Sequence, residues 1–167
     1  MSFESSPFAA LSTEETNTEL KQIELIDNAR SKSHIDDLDS LEQKQRYLMR
    51  FWQRRDPKPN TARNERRQRF MQQVQYANQR YSTNFAEGWN TDRGRALLQY
   101  GRPSEIEPHL YDKDKAPHEI WIYDNIRGEG RSRFVFADRK GYGRFELIHS
   151  TVSGETSMPN WKQILQQ

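Results

Sequence analysis

Gly88-Trp89-Asn90-Thr91-Asp92-Arg93-Gly94-Arg95, continuing as Ala96-Leu97-Leu98-Gln99-Tyr100-Gly101-Arg102-Pro103, separates a helical first part of the chain from a strand-rich second part. Thr91 is a natural N-cap, and Asp92 puts a carboxylate in the positive field of the first turn. Gly101 supplies the stop, and Pro103 forbids continuation. The spacing therefore predicts a short central helix with both ends marked. Trp89, two residues before the cap, is expected to pack as a staple onto the following turn. Gly94 inside that helix costs about 1 kcal/mol relative to Ala, so its expected role is to let another backbone or a ring come close. Arg93 and Arg95 are expected to pair with acids from the strand layer.

Downstream of the central helix, Ser104–Leu110 alternates enough for a short strand interrupted by Pro108, and residues 111–117 are a polar loop. His118–Tyr123 is a better strand. Ile120 and Ile122 fall on one face and Trp121 and Tyr123 on the other, which predicts burial on both sides or a large aromatic cover. Gly128 and Gly130 bracket a turn. Phe134-Val135-Phe136 and Phe145-Glu146-Leu147-Ile148 then flank a loop holding Gly141 and Gly143, the pattern of a hairpin. A four-stranded meander needs a helical cover. The tail, with Trp161, is expected to dock back as a short helical turn.

Upstream, Ser12-Thr13-Glu14-Glu15 offers a cap with early acids before Leu20, Ile23, Ile26 and Ala29, a marginal helix. Ser31-Lys32-Ser33 breaks that pattern. A second helix is expected from about Ile35 through Leu38, Leu41, Leu48 and Trp52, ending at Asp56 before Pro57 and Pro59. Asn60 or Thr61 is the expected cap of a third, whose Phe70, Val74, Ala77 and Tyr81 share one face. The expected fold is thus α+β: two to three helices plus the capped central helix, packed on a small antiparallel β-meander of about four strands. Residues 1–34 are expected to be a flexible or marginally helical acidic arm, and residues 35–167 the folded domain.

Composition agrees with one core that does not include the whole chain. Apolar residues make up 33% and charged ones 30% of 167 residues, while four Trp, seven Tyr and eight Phe fall mostly after residue 50. Charge is distributed unevenly. Residues 1–45 carry ten Asp and Glu against four Lys and Arg, whereas residues 46–102 carry thirteen Lys and Arg against four acids, a balance of +9. Such polarity calls for an anionic partner or for acidic residues folded nearby. The absence of cysteine excludes disulfides, thiolate nucleophiles and Cys-ligated zinc. No stretch approaches the ~20 apolar residues that span a bilayer, and no apolar leader follows Met1.

The octapeptide also carries a resemblance. Gly88-Trp89-Asn90-Thr91-Asp92 is similar to the signature of the bacterial GWxTD-domain family. Phe51-Trp52-Gln53-Arg54-Arg55-Asp56-Pro57, Thr61-Ala62-Arg63-Asn64-Glu65, Tyr100-Gly101-Arg102-Pro103 and Glu119-Ile120-Trp121-Ile122-Tyr123 extend the likeness in order over about residues 46–150. The resemblance implies a module of exported or lipid-anchored envelope proteins and brings no catalytic residues with it. The expected location is the cell envelope or periplasm if the chain is an excised domain, and the cytoplasm if it is complete as written.

Among residues that could carry chemistry, Asp92 would serve a hydrolase as base if His109, His118 or His149 lay beside it. His109, Asp112, Asp114 and His118 could bind a metal, but they lie in loop spacing and Lys113 and Lys115 intervene, so neither metal nor other cofactor is expected. The stronger signal is the basic middle. Arg54, Arg55, Arg63, Arg66 and Arg67 form the expected binding surface, interleaved with Phe51, Trp52 and Phe70 as in binders of single-stranded nucleic acid. The apolar stripe claims those aromatics more readily, and arginine in place of lysine favours carboxylates. The expected function is a non-enzymatic protein-binding or assembly module, with a nucleic-acid or polyanion binder as the alternative and the Asp92 hydrolase third. Gly88, Trp89, Thr91, Asp92, Arg93, Gly94, Arg95, Gly101 and Pro103 are read as structural.

Overall fold

The computed structural model describes residues 2–27, 29–59 and 61–166, with residues 29–31 and 33 described by their backbone. Among the described residues, six α-helices and four strands follow in the order α1 (Thr13–Glu24), α2 (Ala29–Asp36), α3 (Leu41–Gln53), α4 (Glu65–Tyr81), α5 (Asp92–Tyr100), β1 (Glu105–His109), β2 (His118–Ile126), β3 (Gly130–Ala137), β4 (Glu146–Ser150) and α6 (Trp161–Ile164). The α+β class is as expected. The chain forms two compact units, Met1–Gln72 and Gln73–Gln167, which divide within α4.

In the first unit part of the acidic stretch forms helix α1. Ser12 caps α1 through a reciprocal box, its hydroxyl accepting the Glu15 N–H while the Glu15 carboxylate accepts the Ser12 N–H. Leu20 and Ile23 are buried, and α1 packs on α3. Two boundaries differ from expectation. The backbone is helical through Ser31-Lys32-Ser33, and the long second helix is two, because Ser40 starts a new capping box with Gln43. Nor does Thr61 cap α4. Asn64 does, its Oδ1 accepting the Arg67 N–H at 2.9 Å while its amide donates to the Trp52 carbonyl at 2.6 Å. The expectation for Asn60 lies outside the described residues.

The core of this unit is Leu48, Phe51, Trp52 and Phe70, with Phe51 and Trp52 edge to face at 4.9 Å. A charge sits inside it. Glu19, 4% exposed, accepts the Trp52 indole N–H at 2.7 Å and both Nε and Nη2 of Arg67 at 2.8 and 2.7 Å. Three donors on one carboxylate offset its desolvation.

In the second unit the sheet is a meander of order β1-β2-β3-β4, antiparallel throughout. Pro108 remains within β1, which is possible because β1 is an edge strand. Both faces of β2 are covered, as its alternation predicts. Ile120, Ile122, Val135, Ala137 and Ile148 pack with Trp161 and Leu165 of the C-terminal turn. On the other face Trp121, Tyr123, Phe134 and Phe136 meet Tyr81 and Tyr100. The β3–β4 loop is closed by Asp138, 5% exposed, whose carboxylate accepts the backbone N–H groups of Gly141, Tyr142 and Gly143.

Glu19→Ala leaves the Trp52 indole and the Arg67 guanidinium without their acceptor, and is expected to cost about 2–4 kcal/mol. Arg66→Ala, at an exposed position of the same region, should stay within about 0.5 kcal/mol. Urea denaturation of the two variants against the parent checks the contrast.

Candidate functional site

The motif forms a corner at which three pieces of backbone touch. A Cβ placed on Gly88 would collide with the Ala77 carbonyl and stand 2.8 Å from the Asn78 Cα; one on Gly94 would collide with the Gly88 carbonyl and stand 2.8 Å from the Trp89 Cα. The close approach expected at Gly94 is therefore to its own motif, and Gly88 repeats the device against α4. Polar groups then hold the contact. The Gly88 N–H donates to Ser82 Oγ at 2.9 Å and the Trp89 N–H to Asn78 Oδ1 at 3.0 Å. Trp89 is buried, with its indole N–H on Glu87 at 2.8 Å.

Thr91 acts in two directions, its hydroxyl accepting the Gly94 N–H at 3.1 Å and donating to the Gly88 carbonyl at 2.7 Å. Asp92 is more than a dipole partner. Its Oδ2 accepts the Leu147 N–H of β4 at 2.7 Å, joining the first turn of α5 to the sheet. Gly101 ends the helix at φ 79°, and its carbonyl accepts the Tyr123 hydroxyl at 2.9 Å.

Both arginines pair with acids. Arg93, whose side chain is 12% exposed, reaches Glu119 at 3.3 Å and lies over the rings of Tyr81 and Phe145 at 4.7 and 4.2 Å. Burial, with smaller contributions from neighbouring charges, pushes the Tyr81 hydroxyl up to about 12. Arg95 makes a two-pronged contact with Glu155, 2.9 Å on each oxygen, and the Tyr100 hydroxyl donates to the same carboxylate at 2.7 Å. Burial works to raise the Glu155 carboxyl, but the hydrogen bonds from Arg95 and Tyr100 and the guanidinium charge outweigh it and hold the group below its ordinary value.

A cleft of about 230 Å³ opens beside this corner, lined by Tyr81, Phe85, Asp92, Arg93, Phe145 and Glu146 among others. Phe85 stands 76% exposed. Asp92 reaches the cleft wall, but no histidine lines it, and no histidine hydrogen-bonds Asp92 among the described residues. The His149 Nδ1 is occupied by the Met158 N–H at 3.1 Å. Among the described residues, the carboxylate–histidine pair of a hydrolase built on Asp92 is thus not brought together.

A match to the GWxTD domain model covers residues 12–166. The chain belongs to the GWxTD-domain family. No curated protein and no solved structure matches it. The match begins at Ser12, the cap of α1, and takes in the acidic helix.

Of the five arginines expected to form the binding surface of this GWxTD domain, two are spent internally. Arg67 holds Glu19, and Arg55 pairs with Asp27 at 2.8 Å while lying over the Phe51 ring at 3.8 Å. Arg54, Arg63 and Arg66 are exposed. Phe51, Trp52 and Phe70 are core residues at 0–1% exposure, so they are not a stacking platform for bases. A pairing of 28 or 48 residues in sequence cannot be read from local spacing, which is why Arg55 and Arg67 looked like their neighbours.

Three of the four residues of the histidine loop come together. Ligand atoms of His109, Asp112 and His118 lie within 4.8 Å of one another, and Asp114 is not part of the group. His118 is 3% exposed, and burial lowers its imidazole below the ordinary value.

Gly94→Ala is expected to destabilise the second unit by at least about 2 kcal/mol, against a helix propensity that alone favours Ala by about 1 kcal/mol. Thermal unfolding gives the sign directly. Because the folded Glu155 carboxyl is lowered, its contribution is present above the unfolded carboxylate value and lost as pH falls through the folded one. Glu155→Gln should flatten the acid limb of the melting temperature between pH 6 and pH 3, taken at about half-unit steps.

Proposed function

We propose that this GWxTD domain is a non-enzymatic binding module of the cell envelope that takes an acidic protein partner on the exposed arginines Arg54, Arg63 and Arg66. The observation that carries the reading is the division of the basic residues. Arg55 and Arg67 are consumed by Asp27 and Glu19, while Arg54, Arg63 and Arg66 make no ion pair among the described residues. Arg66 lies in the first turn of α4 and Arg63 just before it, where positive charge opposes the helix dipole, so carboxylates of a partner would gain from both.

Two further facts support binding over catalysis. Thr91 and Asp92 are committed to backbone groups of the same unit. The aromatic residues interleaved with the arginines are buried, which favours a carboxylate-bearing surface over single-stranded nucleic acid. The envelope location rests on the likeness of the sequence to exported family members.

Gln68, an exposed position of α4 between Arg66 and Arg69, is a suitable site for a photo-crosslinking residue. In cells it should give a discrete protein adduct that Arg63→Glu with Arg66→Glu removes, while stability changes by no more than about 0.5 kcal/mol per site. Adducts to nucleic acid, or protein adducts indifferent to the charge reversal, would contradict the reading.

A further inference from the structure

We infer that His109, Asp112 and His118 form a binding site for a divalent transition-metal ion of the zinc class, closing the β1–β2 hairpin. The antiparallel register places His109 directly opposite His118 as the last pair of the ladder, and the loop between them carries Asp112. Residues nine apart in sequence are thereby neighbours. Donor atoms of the three side chains lie within 4.8 Å of one another, close enough for one ion to meet all three after side-chain adjustment.

The donor set is two imidazoles and one carboxylate, which suits zinc, cobalt, nickel or copper better than calcium or magnesium. The ring of His118 is oriented as in ligating histidines. Its Nδ1 lies 2.8 Å from the Ala116 carbonyl, so it donates there and leaves the lone pair on Nε2. That carbonyl is itself fixed, because Ala116 is 2% exposed and its N–H donates to the Leu165 carbonyl at 2.8 Å. His109 has its Nδ1 3.4 Å from Asp112 Oδ2 and its Nε2 3.9 Å from Glu107 Oε2. Lys113 and Lys115, which argued against a cation in the sequence, are exposed and can direct their ammonium groups into solvent.

One adjustment is required. The two rings stack, 4.6 Å between centroids and 7° between planes, and an ion shared by both must meet each ring near its own plane. His109 is the ring free to turn, since its side chain is 37% exposed whereas His118 is held. Binding therefore opens the stack without moving the strands, and leaves at least one coordination position for water.

The test uses the tag-free full chain with zinc chloride alone, followed by isothermal titration, thermal unfolding and imidazole proton NMR. The expected result is one saturable site, a raised melting temperature, and shifts of the His109 and His118 ring protons while those of His34 and His149 stay in place. His109→Gln and Asp112→Asn, both at exposed side chains, should keep the fold and weaken the site by at least about tenfold. His118→Gln is made in addition, and its circular dichroism shows whether the fold survives. Saturable binding that His109→Gln and Asp112→Asn leave unchanged, binding centred on His34 or His149, or no saturable binding would overturn the assignment.

Discussion

Two carbonyls pressed onto two glycine α-carbons set the geometry of the second unit. The Ala77 carbonyl meets Gly88, and the Gly88 carbonyl meets Gly94, so the end of α4, the motif turn and the start of α5 approach at backbone distance. No side chain fits in either gap. Given that approach, the other motif residues have defined tasks. Thr91 satisfies the helix start and the Gly88 carbonyl together, and Asp92 carries the connection on to Leu147 in β4. Trp89 covers the corner with apolar area. A signature of this kind can be read as the minimum set of groups needed to seat a helix on a sheet.

Local signals were legible in the sequence, and distant ones were not. Thr91, Gly101 and Ser12 could be recognised as caps because capping is decided within four residues, and β2 could be recognised because its alternation reports both faces. The split between α2 and α3 was hidden by a continuous apolar period running past Ser40. Thr61 is the expected cap of α4, but its hydroxyl donates to the Lys58 and Arg63 carbonyls, and the side chain that accepts a first-turn N–H, that of Arg67, is Asn64. The destination of Asp92, the partners of Arg55 and Arg67, and the pairing of His109 with His118 all depend on register or on contacts tens of residues away.

The charge asymmetry of the chain finds part of its reason inside the first unit. Acids of the N-terminal stretch meet arginines of the basic stretch at Glu19–Arg67 and Asp27–Arg55, and more loosely at Glu4–Arg46 across 3.5 Å. The first is the consequential pair, because its carboxylate is buried and also holds the Trp52 indole. Exposed pairs such as Glu4–Arg46 contribute little. Of the arginines left over, Arg63 and Arg66 stand where α4 begins, which is the least favourable end of a helix for them and the most receptive to an anionic surface.

Native-state hydrogen exchange at the Leu147 amide tests the seating of α5 on the sheet most directly, since that N–H is held by the Asp92 carboxylate. If the motif corner is what fixes the unit, this amide should open only with the amides of Val135 and Phe136 in the central strand, at the free energy of global unfolding. Exchange of Leu147 through a separate, low-energy opening while the strand amides remain protected would contradict the account.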